Sequence, residues 1–114
     1  MPAGAQLSIT DMRRAARHPV DHPVIAEHRR LGDLHLRIVN LSAQGFMATG
    51  AEGLSRGERV VIRLPVVGRI EAHQIWSTEE RAGFQFERIL RIDDFMNLID
   101  AVQANPKLRP ARKA

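Results

Sequence analysis

The sequence predicts a mainly β chain, folded as a small antiparallel barrel that a C-terminal α-helix closes at one end. Two observations carry this. Between Val24 and Phe86, short apolar or alternating runs are separated every few positions by turn residues, as in all-β barrels. From Ile92 the period changes: Ile92, Phe95, Met96, Ile99 and Val102 recur at three- and four-residue steps, the apolar stripe of a helix. At 114 residues the chain makes one domain, long enough to bury roughly two thirds of the surface its unfolded form exposes.

Residues 1–12 are small and polar without periodicity and read as a flexible leader. Residues 13–22 are basic and punctuated by Pro19, with Pro23 following. Each proline drives the residue before it toward extended geometry, so a connector is expected and not a long helix. Strands are expected from Val24 to Arg29 and from Leu34 to Val39, joined by the turn chemistry of Leu31-Gly32-Asp33. Asn40 to Gly45 reads as a corner, where a glycine permits positive φ, and Phe46 to Thr49 as a short strand after it. Arg59 to Leu64 and Gly68 to Ser77 form a second hairpin around Pro65-Val66-Val67-Gly68. Ile75 and Trp76 break its alternation, which calls for a bulge or for burial on both faces. After the charged turn Ser77 to Arg81, Ala82 to Phe86 is a strand with both phenylalanines on one face. The barrel thus spans residues 23–90 and the helix 92–105. Asp93 and Asp94 suit the helix N-terminus, and Asn105-Pro106 stops it. Residues 106–114 form a basic, disordered tail.

Composition narrows the function. A net charge of +4 favours an anionic partner, whether nucleotide, nucleic acid or acidic protein face. With four phenylalanines, one tryptophan and no tyrosine, the chain is poor in the aromatics that single-strand-binding platforms require, which makes nucleic acid an unfavoured partner. Lack of cysteine excludes disulfides, thiolate metal sites and a thiol nucleophile, and is compatible with a reducing compartment. Neither a membrane span nor a signal-peptide pattern is present, so the default location is cytoplasmic. His18 and His22 are four apart, but the adjacent prolines prevent the helix that would aim both at one metal. Acid clusters at Glu79-Glu80 and Asp93-Asp94 fall at a turn and a helix start, where acids have structural reasons to be. No hydrolase motif or phosphate-cradling loop occurs, so the chain reads as a non-enzyme without cofactor or metal.

Two motifs remain. Arg13-Arg14-Ala15-Ala16-Arg17 holds an arginine pair four apart, and Asn40-Leu41-Ser42-Ala43-Gln44-Gly45 holds Asn-x-Ser-x-x-Gly. Arginines followed by strands and this second motif resemble the PilZ domain, a bacterial receptor module for cyclic di-GMP. The similarity continues through Leu54-Ser55-Arg56-Gly57-Glu58 and through Gln74-Ile75-Trp76 with Gly83-Phe84-Gln85-Phe86, to about Leu90. Residues 13–105 would then be the domain, with the six-stranded barrel of that family. The resemblance also implies that Arg13 and Arg17 grip the dinucleotide while Asn40, Ser42 and Gly45 receive it on the barrel. Arg14, between the paired arginines, either reaches a phosphate or is a solvated side chain. Arginine suits this, because its planar fork meets guanine or phosphate bidentately. Asn40 stands where the family often has aspartate; both accept hydrogen bonds, but only aspartate adds charge. Trp76 reads as core or rim packing in preference to a base-stacking platform.

The resulting expectation is a stand-alone receptor that orders its connector on binding cyclic di-GMP and signals to an unidentified downstream protein, in settings such as motility and biofilm formation. The alternative is a PilZ-like interaction domain that acts through protein contacts without the dinucleotide, in motility or surface-attachment machinery.

Overall fold

The computed structural model describes residues 16–103. Its strands are β1 (His18–His28), β2 (Gly32–Ser42), β3 (Gly45–Thr49), β4 (Arg59–Leu64), β5 (Gly68–Ser77) and β6 (Ala82–Phe86), followed by helix α1 (Ile92–Gln103). The strands close into an antiparallel barrel in the order β1-β2-β3-β6-β5-β4. Alternation decides what faces inward. Val24 and Ala26 on β1, Leu36 and Ile38 on β2, Val60, Ile62 and Leu64 on β4, and Phe84 and Phe86 on β6 are all buried, every second residue of a pleated strand. Phe46 stacks on Phe84 with ring centroids 4.8 Å apart, filling the barrel where β3 meets β6. Phe95, Leu98, Ile99 and Val102 add the buried face of α1 to the same core.

Differences from the sequence reading have causes in how the strands pair. β1 begins at His18, six residues before Val24, so part of the expected connector is strand. Both prolines fit because the register shifts between Pro19 and His22, and because the registered pairing between β1 and β4 is Glu27 with Val61. The missing N–H groups lie at a bulge and beside a sparsely bonded seam. His18, at the head of β1, meets Phe95 of α1 edge-on, with centroids 5.3 Å apart. The helix is thereby anchored one residue from Arg17. The expected disruption in β5 is a bulge, with a register shift between Gln74 and Trp76. Gln74 itself is buried, and its side chain donates to the Leu54 carbonyl at 3.4 Å. The leader of residues 1–12 and the tail of residues 106–114 lie outside the described residues.

A polar knot fastens the turn after β1. His28 Nδ1 accepts the backbone N–H groups of Arg30 and Leu31 at 3.1 and 3.0 Å, which leaves Nε2 to carry the proton and donate to Glu58 at 2.5 Å. Arg30 Nη2 donates to both Glu58 oxygens at 2.9 and 3.1 Å. Partial desolvation works against the Glu58 charge, but the His28 hydrogen bond and the Arg30 guanidinium outweigh it and hold its pKa below the ordinary 4.5. A carboxyl with a lower pKa folded than unfolded adds stability at neutral pH that disappears as the pH falls through its folded value. Glu58→Gln is therefore expected to lower the melting temperature near pH 7, and to flatten the loss of stability between about pH 5 and pH 3. Thermal melts of both chains across that range check this.

Candidate functional site

The site is assembled around the two-residue connection Ala43-Gln44 between β2 and β3. Ser42 and Gly45 face each other across it, and Asn40 pairs with Met47 after a register shift that follows Ile38. Ser42 Oγ accepts the Gln44 N–H at 3.2 Å, which leaves its hydroxyl proton available to a ligand. The connection is bonded to the end of β6 and the segment after it: Phe86 N–H donates to the Gln44 carbonyl at 2.8 Å and Leu90 N–H to the Ala43 carbonyl at 2.9 Å. Asn40 and Ser42 are thus among the last residues of a strand and not loop residues.

Gly45 does not use positive φ, contrary to the expectation for a corner glycine. Its requirement is space. A Cβ built there would lie 1.9 Å from the Phe84 carbonyl oxygen and 3.0 Å from Gln85 Cα, so only glycine lets β3 run this close to β6. Gly83 has the same role one strand over. A Cβ there would lie 2.1 Å from Trp76 Nε1, which means that the indole lies flat across the glycine. The β5 bulge before Trp76 turns the ring into that position.

Between these elements opens a cleft of about 190 Å³, lined by Arg17, Asn40, Ser42, Gln44, Gly45 and Trp76, with Ile75, Gln85 and the backbone of β6 completing it. Arg17 is exposed at its rim, and no hydrogen bond or ion pair occupies its guanidinium among the described residues. Asn40 and Ser42 are half-buried in the wall. The cleft combines a cation, a hydroxyl, carboxamides and an aromatic face, the equipment for holding a planar polar ring near an anionic group. Among the described residues no cluster of three or more histidine, aspartate or glutamate side chains could hold a metal. No helix among them is long and apolar enough to cross a membrane.

Four of the residues singled out in the sequence, Arg17, Asn40, Ser42 and Gly45, line this one cleft. Arg13 and Arg14 lie outside the described residues. Trp76 was read as packing, and it does cover Gly83, yet it also lines the cleft beside Ser42. Gln44 and Gln85 were not singled out at all. A sequence-model match to the PilZ domain covers residues 11–103.

The chain belongs to the PilZ domain family. Among solved structures it is similar to the PilZ domain of CeSA from a cellulose-synthesizing bacterium, with a TM-score of 0.55 and 20% sequence identity over 79% of this chain and 97% of that one. No curated protein sequence matches the chain. PilZ domains are binding and adaptor modules.

The two glycines make separable predictions. Gly45→Ala is expected to destabilise the barrel by about 3 kcal/mol, because the clash is with backbone that cannot move aside cheaply. Gly83→Ala meets a side chain instead and should tilt the indole away, with a smaller loss of stability. Denaturant unfolding measures the first. The emission of Trp76, the chain's single tryptophan, reports the second, as a shift toward longer wavelength.

Proposed function

We propose that the cleft is the barrel half of a receptor site for cyclic di-GMP, and that the protein acts as a non-enzymatic module that passes ligand binding on to a protein partner. The observation that carries this reading is the convergence of Arg17, Asn40, Ser42 and Gly45, from two motifs far apart in the chain, on one cleft floored by Trp76. Membership of a family whose members are generally cyclic di-GMP receptors supports it.

Each group has a task in this reading. The Arg17 guanidinium meets a phosphate or the O6/N7 edge of a guanine bidentately. Ser42 donates its hydroxyl proton, Asn40 offers an acceptor for guanine N–H groups, and the Trp76 indole presents a face on which a base can stack. Gly45 keeps the floor free of a side chain. A cleft of about 190 Å³ is smaller than the roughly 300–1,000 Å³ that usually encloses a small-molecule ligand. It therefore holds part of the dinucleotide, and the remainder is left to the segment preceding β1, where Arg13 and Arg14 supply further cations. A ligand that bridges segment and barrel favours the arrangement in which both are engaged. The surface so formed is what a partner reads.

Calorimetric titration of the full chain with cyclic di-GMP, cyclic di-AMP and GTP tests the reading. Binding is expected for the first ligand, weakened severalfold to about a hundredfold by Arg17→Ala or Ser42→Ala, in line with about 1–3 kcal/mol for a good bidentate contact. Protease cleavage around residues 13–17 should slow when the ligand saturates the protein. Absence of detectable cyclic di-GMP binding at high micromolar concentration would contradict the proposal. Partner capture that is indifferent to the dinucleotide would favour the interaction-domain alternative.

A further inference from the structure

The amide of Asn40 has two ends of opposite character, an accepting Oδ1 and a donating Nδ2. Here Nδ2 donates to the thioether sulfur of Met47, its register partner on β3, at 3.7 Å. Arg81 Nη1 approaches the same sulfur, also at 3.7 Å. A thioether sulfur accepts and never donates, so of the two ends of the amide only Nδ2 suits it. Both Asn40 and Met47 are half-buried, on a strand pair whose far neighbour β6 is held close by Gly45. In that setting a turned amide would set the Oδ1 lone pairs against those of the sulfur.

We propose that Met47 is a positioning residue that makes the cleft prefer guanine over adenine, by holding Nδ2 and so keeping Oδ1 as the free end of the Asn40 amide. The inference rests on the reading of the cleft as a cyclic dinucleotide site. The Watson–Crick edge of guanine offers N1–H and N2–H donors, which Oδ1 accepts. Adenine offers an unprotonated N1 at the corresponding place, which Oδ1 repels and which a freed Nδ2 would satisfy. An amide able to turn serves either base, whereas a pinned one serves guanine. Discrimination of this kind follows from leaving a buried polar group unmatched by the wrong ligand.

Asparagine and aspartate differ in the one property that matters for the test, since a carboxylate accepts at both oxygens and has no donor end to turn. Met47→Leu, Asn40→Asp and the double variant are each titrated with cyclic di-GMP and cyclic di-AMP. Met47→Leu conserves volume while removing the acceptor, and is expected to narrow the preference for cyclic di-GMP severalfold. In the Asn40→Asp background the same substitution should leave the preference unchanged to within about twofold. Should leucine prevent folding, as judged by far-UV circular dichroism, Met47→Ile supplies a second acceptor-free side chain. An unaltered preference in Met47→Leu overturns the inference. An equal loss in both backgrounds also overturns it, because that pattern reports packing. If the unsubstituted chain binds neither dinucleotide, the reading of the cleft falls first, and the role of Met47 falls with it.

Discussion

The closeness of β3 to β6 is the constraint on which the rest of the site depends. The Phe84 carbonyl occupies the space where any side chain at position 45 would begin, so the backbone of β3 lies against β6 with nothing between. That approach brings the Ala43-Gln44 connection within reach of the Phe86 and Leu90 N–H groups, and it stacks Phe46 on Phe84 beneath. A connection bonded at both carbonyls, to the end of β6 and to the segment after it, has little freedom to rearrange. Asn40 and Ser42 inherit that stiffness, and a polar site built on regular strand is held more closely than one carried by a loop. Gly83 extends the arrangement sideways, because the absence of its side chain is what lets the Trp76 indole lie across β6.

The site is divided between this stiff floor and a cationic side reached through Arg17. The guanidinium projects from the residue before β1, while the next residue, His18, contacts Phe95 of α1. Whatever engages Arg17 therefore acts one residue from the place where helix and barrel meet. This gives a physical route from an occupied cleft to the protein surface: a ligand need only favour one placement of the residues before β1 over others. The charges near the cleft are held differently from those elsewhere on the barrel. Glu58 pairs with Arg30 and accepts a hydrogen bond from His28, and Arg37 pairs with Asp21, whereas Arg17 has no acidic partner among the described residues.

Much of the barrel was legible because pleating imposes a period of two. The inward set from Val60 to Leu64, the paired phenylalanines of β6 and the stripe of α1 follow directly from it. The bulge at Gln74-Ile75-Trp76 was legible for the same reason, as a break in that period. Two things were not. Pro19 and Pro23 signal departure from regular structure by local rules, but β1 accommodates them through its bulge and its sparse pairing with β4, which are properties of the assembled sheet. At Gly45 the local rule offers positive φ, which the residue does not use; the close approach of backbone that a glycine also permits is met by Phe84, and which strand would supply it depends on the assembled sheet. Trp76, Gln44 and Gln85 escaped on the same ground. Their place in the cleft depends on the registers of β3 with β6 and of β5 with β6, and a run of short strands does not disclose its registers.

In the proposed function, a preset polar floor on β2, β3, β5 and β6 receives cyclic di-GMP. An amide-resolved NMR titration of the full chain with that ligand tests it most directly. The largest shift changes are expected on Arg17, Asn40, Ser42, Gln44, Trp76, Gly83 and Gln85, with the β1–β4 side of the barrel left nearly unmoved. Changes concentrated around Ile25 and Arg63, or none at saturating ligand, would contradict it.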